Sequence, residues 1–208
     1  MKVEIGYLSK SYYMNNQPDA GGYFPFVLEG NTSFIVDFGG VDLYDQLEGF
    51  LKIWMNKLKA LPIYFCVEIY EFDREDFENH CRSLHISYEY LMENDQSLIC
   101  LSKIETEKQL QTMLPFLIGV GLTMNNLVLW AIHKNVFRLE KREWIGNLRG
   151  FVQETVIVNM ASDTTVFWLG YDGDSINAIS NQPDFQTYKK VVETLPDFVE
   201  PRFIEFSE

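Results

Sequence analysis

Residues Thr155 to Asn181, TVIVNMASDTTVFWLGYDGDSINAISN, constrain the fold of this chain more than any other stretch. Three β-rich runs alternate with two short polar turns, Ala161–Asp163 and Asp172–Asp174, whose aspartates and Gly173 suit the positive φ of tight hairpins. The pattern predicts three successive antiparallel strands. In the middle run, Thr164 to Tyr171, period-2 alternation puts Phe167, Leu169 and Tyr171 on one face and Val166, Trp168 and Gly170 on the other. A strand with apolar residues on both faces must be covered on both sides, which places this run at or near the centre of the main sheet.

The rest of the chain has to supply that sheet and its cover. Lys2–Leu8 alternates Val3, Ile5 and Tyr7 with polar residues, as a half-buried strand does. Met14–Gly22 reads as a loop, and Tyr23–Leu28 and Ser33–Phe38 read as a hairpin turning at Gly30-Asn31, with Pro25 assigning the first strand to a sheet edge. Leu43, Leu47, Phe50, Leu51, Trp54, Leu58 and Leu61 recur at helical spacing behind a predicted Asp42 cap, and Pro62 stops the helix ahead of a buried strand, Ile63–Tyr70. A second helix follows Asp73 and turns Phe77, Cys81 and Leu84 inward. Ile86–Tyr90 and Ser97–Ser102 form a strand pair about the turn Glu93–Gln96. Thr106 and Gln109 form a capping box for a third helix, in which Pro115 predicts a kink or break and Gly119 and Gly121 the end. Asn126–Ile132 is a buried strand, and Phe137–Leu139 is expected to continue the same sheet. Pro183 opens a last helix carrying Phe185, Tyr188, Val192 and Leu195 on one face, and Arg202–Phe206 reads as a terminal edge strand. The expectation is one α+β domain spanning residues 1–208, a largely antiparallel or mixed sheet with about four helices packed on it.

Charge narrows the partners. Thirty acidic against seventeen basic side chains give −13, so attraction to nucleic acid or to an anionic membrane surface is disfavoured. No apolar run is long enough to span a bilayer, and no secretory leader is recognisable. The three cysteines, Cys66, Cys81 and Cys100, are odd in number and lack metal-binding spacing, so neither a disulfide framework nor a zinc site is indicated and a reducing cytoplasm is the expected compartment. No cofactor or metal is implied.

Chemistry-bearing residues are scattered. His133 at a strand end, paired with a carboxylate such as Asp37, or Cys81 with His85 or His80, are the candidates for a catalytic pair, and each has a structural alternative as a core or helix-end residue. The Asp37–Asp42 segment, DFGGVD, joins a strand to a helix start but lacks the lysine and hydroxyl of a phosphate loop. The acidic run from Glu68 to Glu78 reads as a solvated face, and Asp172 and Asp174 as turn residues. A local basic excess, Lys134, Arg138, Lys141, Arg142 and Arg149 with Trp144 among them, is the candidate for binding an anion or an acidic partner surface.

No set of these residues completes a catalytic constellation in the sequence. The leading expectation is therefore a non-catalytic cytoplasmic interaction domain whose acidic surface engages a basic protein, in the manner of inhibitor or immunity proteins. The alternatives are a small hydrolase or transferase, and a small-ligand binding module whose signature is an apolar pocket with a few polar groups in its wall.

Overall fold

A computed structural model describes residues 1–9, 23–124, 126–143, 150 and 152–206. The predicted loop at Met14–Gly22 lies outside the described residues. The first strands and helix are β1 (Lys2–Tyr7), β2 (Val27–Gly30), β3 (Phe34–Gly39), α1 (Val41–Lys57) and β4 (Ile63–Tyr70). They are followed by α2 (Arg74–Leu84), β5 (Ser87–Glu93), β6 (Ser97–Ile104), α3 (Glu107–Met124), β7 (Val128–Ile132) and β8 (Phe137–Glu143). The chain closes with β9 (Val152–Met160), β10 (Thr165–Leu169), β11 (Ser175–Ser180), α4 (Tyr188–Thr194) and β12 (Glu200–Phe203). The architecture is the expected α+β, with four α-helices among the described residues.

Nine strands form one mixed sheet in the order β12-β1-β3-β11-β10-β7-β4-β6-β5, and β2-β9-β8 form a second, three-stranded sheet. β10 stands in the middle of the large sheet with four strands on either side, as its two apolar faces require. Phe167 and Leu169 pack under the helices with Phe38, Trp54, Trp130 and Phe185, whereas Val166 and Trp168 join Phe24, Phe26, Leu129 and Val158 beneath the small sheet. Helices thus cover one face and a second sheet covers the other.

Three strand assignments differ from the sequence expectation. Tyr23–Leu28 does not pair with Ser33–Phe38: β2 runs parallel to β9, and β3 lies between β1 and β11. Val36 and Phe38 face the helices while Ile35 faces the small sheet, so β3 needs neighbours on both edges and an interior place. Gly30, at φ 89, brings the chain against β9, since a Cβ there would lie 2.4 Å from the Met160 carbonyl oxygen. β9 leaves the predicted meander for the small sheet, and β8 joins it there instead of extending the large sheet. Only β10 and β11 form the expected antiparallel pair within the predicted meander. Alternation reports two faces of a strand and says nothing about which sheet receives it.

The helices carry their own corrections. Gly40, not Asp42, occupies the N-cap of α1, and the Asp42 carboxylate accepts from the Lys2 backbone N–H at 2.8 Å. Asp73 does stand at the N-cap of α2, without a side-chain capping bond. The capping box of α3 forms as expected: the Gln109 N–H donates to Thr106 Oγ1, and Gln109 Oε1 accepts from the Thr106 N–H. That helix neither breaks at Pro115 nor ends at Gly119 and Gly121, but runs to Met124. Pro115 is on the exposed side, where water serves the carbonyl it leaves unpaired. Gly121 is a contact glycine, because a Cβ there would sit 2.5 Å from Leu169 Cδ2. Pro183 opens a separate 3₁₀ turn, Pro183–Phe185, and α4 begins at Tyr188 with Thr187 capping Lys190 and Val191 as its fully buried residue. The terminal strand falls at Glu200–Phe203 and pairs in parallel with β1 as one edge of the large sheet.

Candidate functional site

Three strands do not cover nine, and the uncovered part of the large sheet opens as a cleft between the two sheets, about 400 Å³ in volume. Ile99 on β6, Leu127 ahead of β7 and Trp168 on β10 line it as an apolar floor. Trp168 is held edge-on by Tyr23, Phe24, Phe26 and Tyr171 at ring-centroid distances of 6.0, 5.4, 5.8 and 5.2 Å, so the floor is built from an interlocked aromatic cluster. The opposite wall is residues 152–156 of β9.

Polar groups enter this apolar setting at defined places. Glu68 projects from β4 on the small-sheet side, and its backbone N–H donates to the Leu127 carbonyl at 2.8 Å, which fixes the start of β7. Asn126, only 9 % exposed, lines the same cleft, and its Nδ2 has no hydrogen-bond partner. A buried amide donor without an acceptor costs about 1–3 kcal/mol, so such a group is a place where a ligand oxygen gains more than it displaces. The lining includes two carboxylates, Glu68 and Glu154, and no lysine or arginine among the described residues.

The strand directions extend the negative charge beyond the cleft. β4 ends where β7 and β11 begin, and the turns at that end of the sheet carry Glu71, Asp73, Asp95, Asp172 and Asp174. Two regions that are far apart in the chain, the acidic run after Glu68 and the Asp172–Asp174 tip, therefore share one end of the molecule. Arg74, next to Asp73 in those turns, is bound to Glu71 at 3.1 Å and Glu93 at 2.8 Å. Exposed apolar residues accompany the acids: Tyr171 and Val152 line the cleft, and Phe72 stacks on Tyr70 at 5.3 Å beside it.

The catalytic candidates are not brought together. Asp37 pairs with Asn177, which pairs with Trp168, which pairs with Leu129. His133 lies beyond the end of β7, so the two candidates are roughly 20 Å apart, three strand spacings across and four residues along. His133 is exposed near Asp163, whose carboxylate is held below its ordinary range chiefly by Lys134. Helix α2 ends before His85, which takes a left-handed conformation at φ 54 and is exposed, while Cys81 faces the core. Burial pushes the Cys66 and Cys81 thiols up to about 12 and Cys100 in the same direction, so all three stay protonated at neutral pH. Among the described residues no three His, Cys, Asp or Glu side chains converge as a metal-ion site. No helix among them is long and apolar enough to cross a membrane.

Asp37 sits elsewhere in the same face, 8 % exposed, and burial raises its carboxyl to about 6 against the opposing hydrogen bonds of Ser175 and Asn177. Within the basic segment, Lys134 bonds Asp163, Arg138 bonds Glu29 and Glu140, and Lys141 lies 3.9 Å from Glu154. Arg142 is also engaged, and Trp144 and Arg149 lie outside the described residues. Each described cation of that segment thus has an interaction within the protein. The cleft residues that the sequence did not mark as a site are Asn126, Trp168 and the 152–156 wall. The one local signal was Asn126 itself, a polar amide directly ahead of strand β7, whose residues 128–132 are all buried. No protein-family model matches the chain, and neither a curated protein nor a solved structure matches it.

Proposed function

We propose that the protein is a non-catalytic interaction domain that holds a basic partner protein by seating a lysine or arginine side chain in the inter-sheet cleft. The observation that carries this reading is the lining of the cleft, with Glu68 beside an aromatic floor, Glu154 on the opposite wall 3.9 Å from the exposed Lys141, and no lysine or arginine in the lining itself among the described residues. A charge-assisted hydrogen bond from an inserted cation to Glu68 contributes about 1.5–3 kcal/mol, more than an exposed ion pair, because the floor excludes water from one side. The net charge of −13 draws basic partners from a distance and speeds their encounter. The exposed Tyr171 and Val152 at the cleft suit a protein surface that packs on its rim. The three buried, unpaired thiols fit the reducing cytoplasm that this reading assigns to the protein.

Titration of the protein with a capped arginine amide, followed by amide and side-chain NMR, tests the assignment. Shifts at Glu68, Asn126 and Glu154 that weaken with salt and vanish in Glu68→Gln are expected. Shifts confined to other surfaces, or none, overturn it. A small cationic ligand is the second reading, favoured by a cleft volume within the range of small-molecule sites. Tighter binding of a free polyamine than of any lysine- or arginine-bearing peptide would select it.

A further inference from the structure

The wall of the cleft has an open strand edge. β8 pairs with β9 over the whole stretch from Val152 to Val158, but β2 begins only at Val27 opposite Ile157. Residues 152–156 therefore have a strand on one side and none on the other among the described residues, and all five line the cleft. The described residues just ahead of β2, 23–26, form no strand there. In continued register Pro25 would fall opposite Thr155, and proline has no N–H to give. Phe24 and Phe26 instead turn onto Trp168.

The direction of the open groups follows from one hydrogen bond. The Asn159 N–H donates to the Val136 carbonyl at 2.9 Å, on the β8 side. Backbone groups alternate along a strand, so the N–H and C=O of Gln153 and Thr155 also point to β8, and those of Val152 and Glu154 point the other way. Glu154 thus presents a backbone donor and acceptor to the edge that no described strand occupies, with its carboxylate in the cleft lining. Asn126 adds a second, independent sign of a missing partner, an unpaired Nδ2 on a side chain 9 % exposed in the same cleft.

We infer that the edge of β9 at residues 152–156 is a strand-acceptor slot, and that the basic partner enters it as an extended segment with lysine or arginine at alternate positions. The inference rests on the proposed use of the cleft and specifies how the partner is held. Main-chain hydrogen bonds to Val152 and Glu154 supply sequence-independent affinity. Period-2 alternation then turns every second side chain of the added strand toward Glu68 and Glu154, which selects for positive charge. Asn126 Nδ2 donates to an oxygen of the inserted segment.

The test uses the intact chain and three capped heptapeptides: lysine alternating with valine, the same sequence N-methylated at alternate amides, and norleucine in place of lysine. At saturating unmodified peptide the Glu154 amide should exchange with solvent at least about tenfold more slowly, and N-methylation at the β9-facing amides should weaken binding at least about tenfold. Equal binding of the methylated peptide with the Glu154 amide unprotected overturns strand addition, yet leaves the cleft reading standing if Glu68 and Asn126 still shift. Equal binding of the norleucine peptide with Glu154 protected keeps the slot and overturns the basic occupant. No binding of any peptide overturns the inference, and the arginine-amide titration then decides separately on the cleft. Protection of Glu154 that rises with protein concentration alone identifies a second copy of the chain as the occupant and overturns the partner proposed. Because the Glu154 N–H points away from β8, Glu154→Pro removes no bond to that strand. It should lose peptide binding that Glu154→Ala, with its N–H intact, retains in part, and equal affinities of the two variants count against the slot. If the proline variant fails to fold, the exchange measurement on the unaltered chain stands in its place.

Discussion

The two faces of the nine-stranded sheet are filled in different ways. Under the helices, Trp54 and Phe167 meet Phe38, Phe50, Trp130 and Phe185 at centroid distances of 4.8 to 6.0 Å. The buried hydroxyls of Thr165 and Ser180 bond one another there at 2.7 Å, and the Trp130 Nε1 is left without a partner. Under the small sheet the packing is incomplete, and that side holds Glu68, Asp37 and Asn177, the last with an unpaired Oδ1. Four helices can wrap a broad sheet because each brings its own satisfied backbone. A three-stranded sheet brings edges, and where its ladder stops it leaves both volume and unpaired groups. In this protein the less complete cover is where the cleft opens.

The contrast can be tested by truncating each side. Phe167→Ala, in the filled face, should cost about 3–5 kcal/mol in urea denaturation. Ile99→Ala, beside space that is already open, should cost about 2 kcal/mol, the low end for such truncations. Equal losses would mean that the cleft side is packed as tightly as the helix side.

Asp37 tests the polar character of the sheet-covered face. Its carboxyl titrates near 6 in the folded protein against an ordinary value of 3.8, so between these values the native state holds a proton that the unfolded chain has lost. Its contribution is therefore most favourable below the lower value, declines as pH rises, and is a full penalty above the higher one. Asp37→Asn should stabilise the protein by about 3 kcal/mol at pH 7, with the gain shrinking toward nothing near pH 4. A gain that does not depend on pH would show that the ionised carboxylate is not the cause.

Two glycines of α3 refine the account of the helix-covered face. Gly121→Ala should destabilise by about 1–3 kcal/mol through the clash with Leu169. Gly119, where an added methyl group would meet nothing within 4 Å, should gain about 0.5–1 kcal/mol as alanine, the ordinary helix propensity difference. Thermal melts of the two variants should move in opposite directions; a shared direction would remove the distinction between a contact glycine and a helix-interior glycine facing open space.

Much of the architecture was legible in local pattern. The span of β4, the capping box at Thr106 and Gln109, the stripe of α1 and the central place of β10 all follow from neighbouring residues alone. What misled was residue identity with two uses. Gly30, Gly119 and Gly121 looked like turn and stop signals, yet Gly30 and Gly121 serve close approach to another element. The candidate site was hardly legible: Glu68 was one member of an acidic run read as a solvated face, and nothing local marked Trp168 as its floor.

Local order along the chain settles which residues are apolar on which side of each strand and helix, because alternation and helical spacing are properties of a few consecutive residues. The negative charge is settled there too, since it is a sum and needs no coordinates. Long-range packing alone settles that β9 abandons β10 for another sheet, that β2 begins only opposite Ile157, and that Glu68, Asn126 and residues 152–156 face one space. Those are pairings between segments many residues apart, chosen by how layers of unequal width fit together, and no local periodicity encodes them.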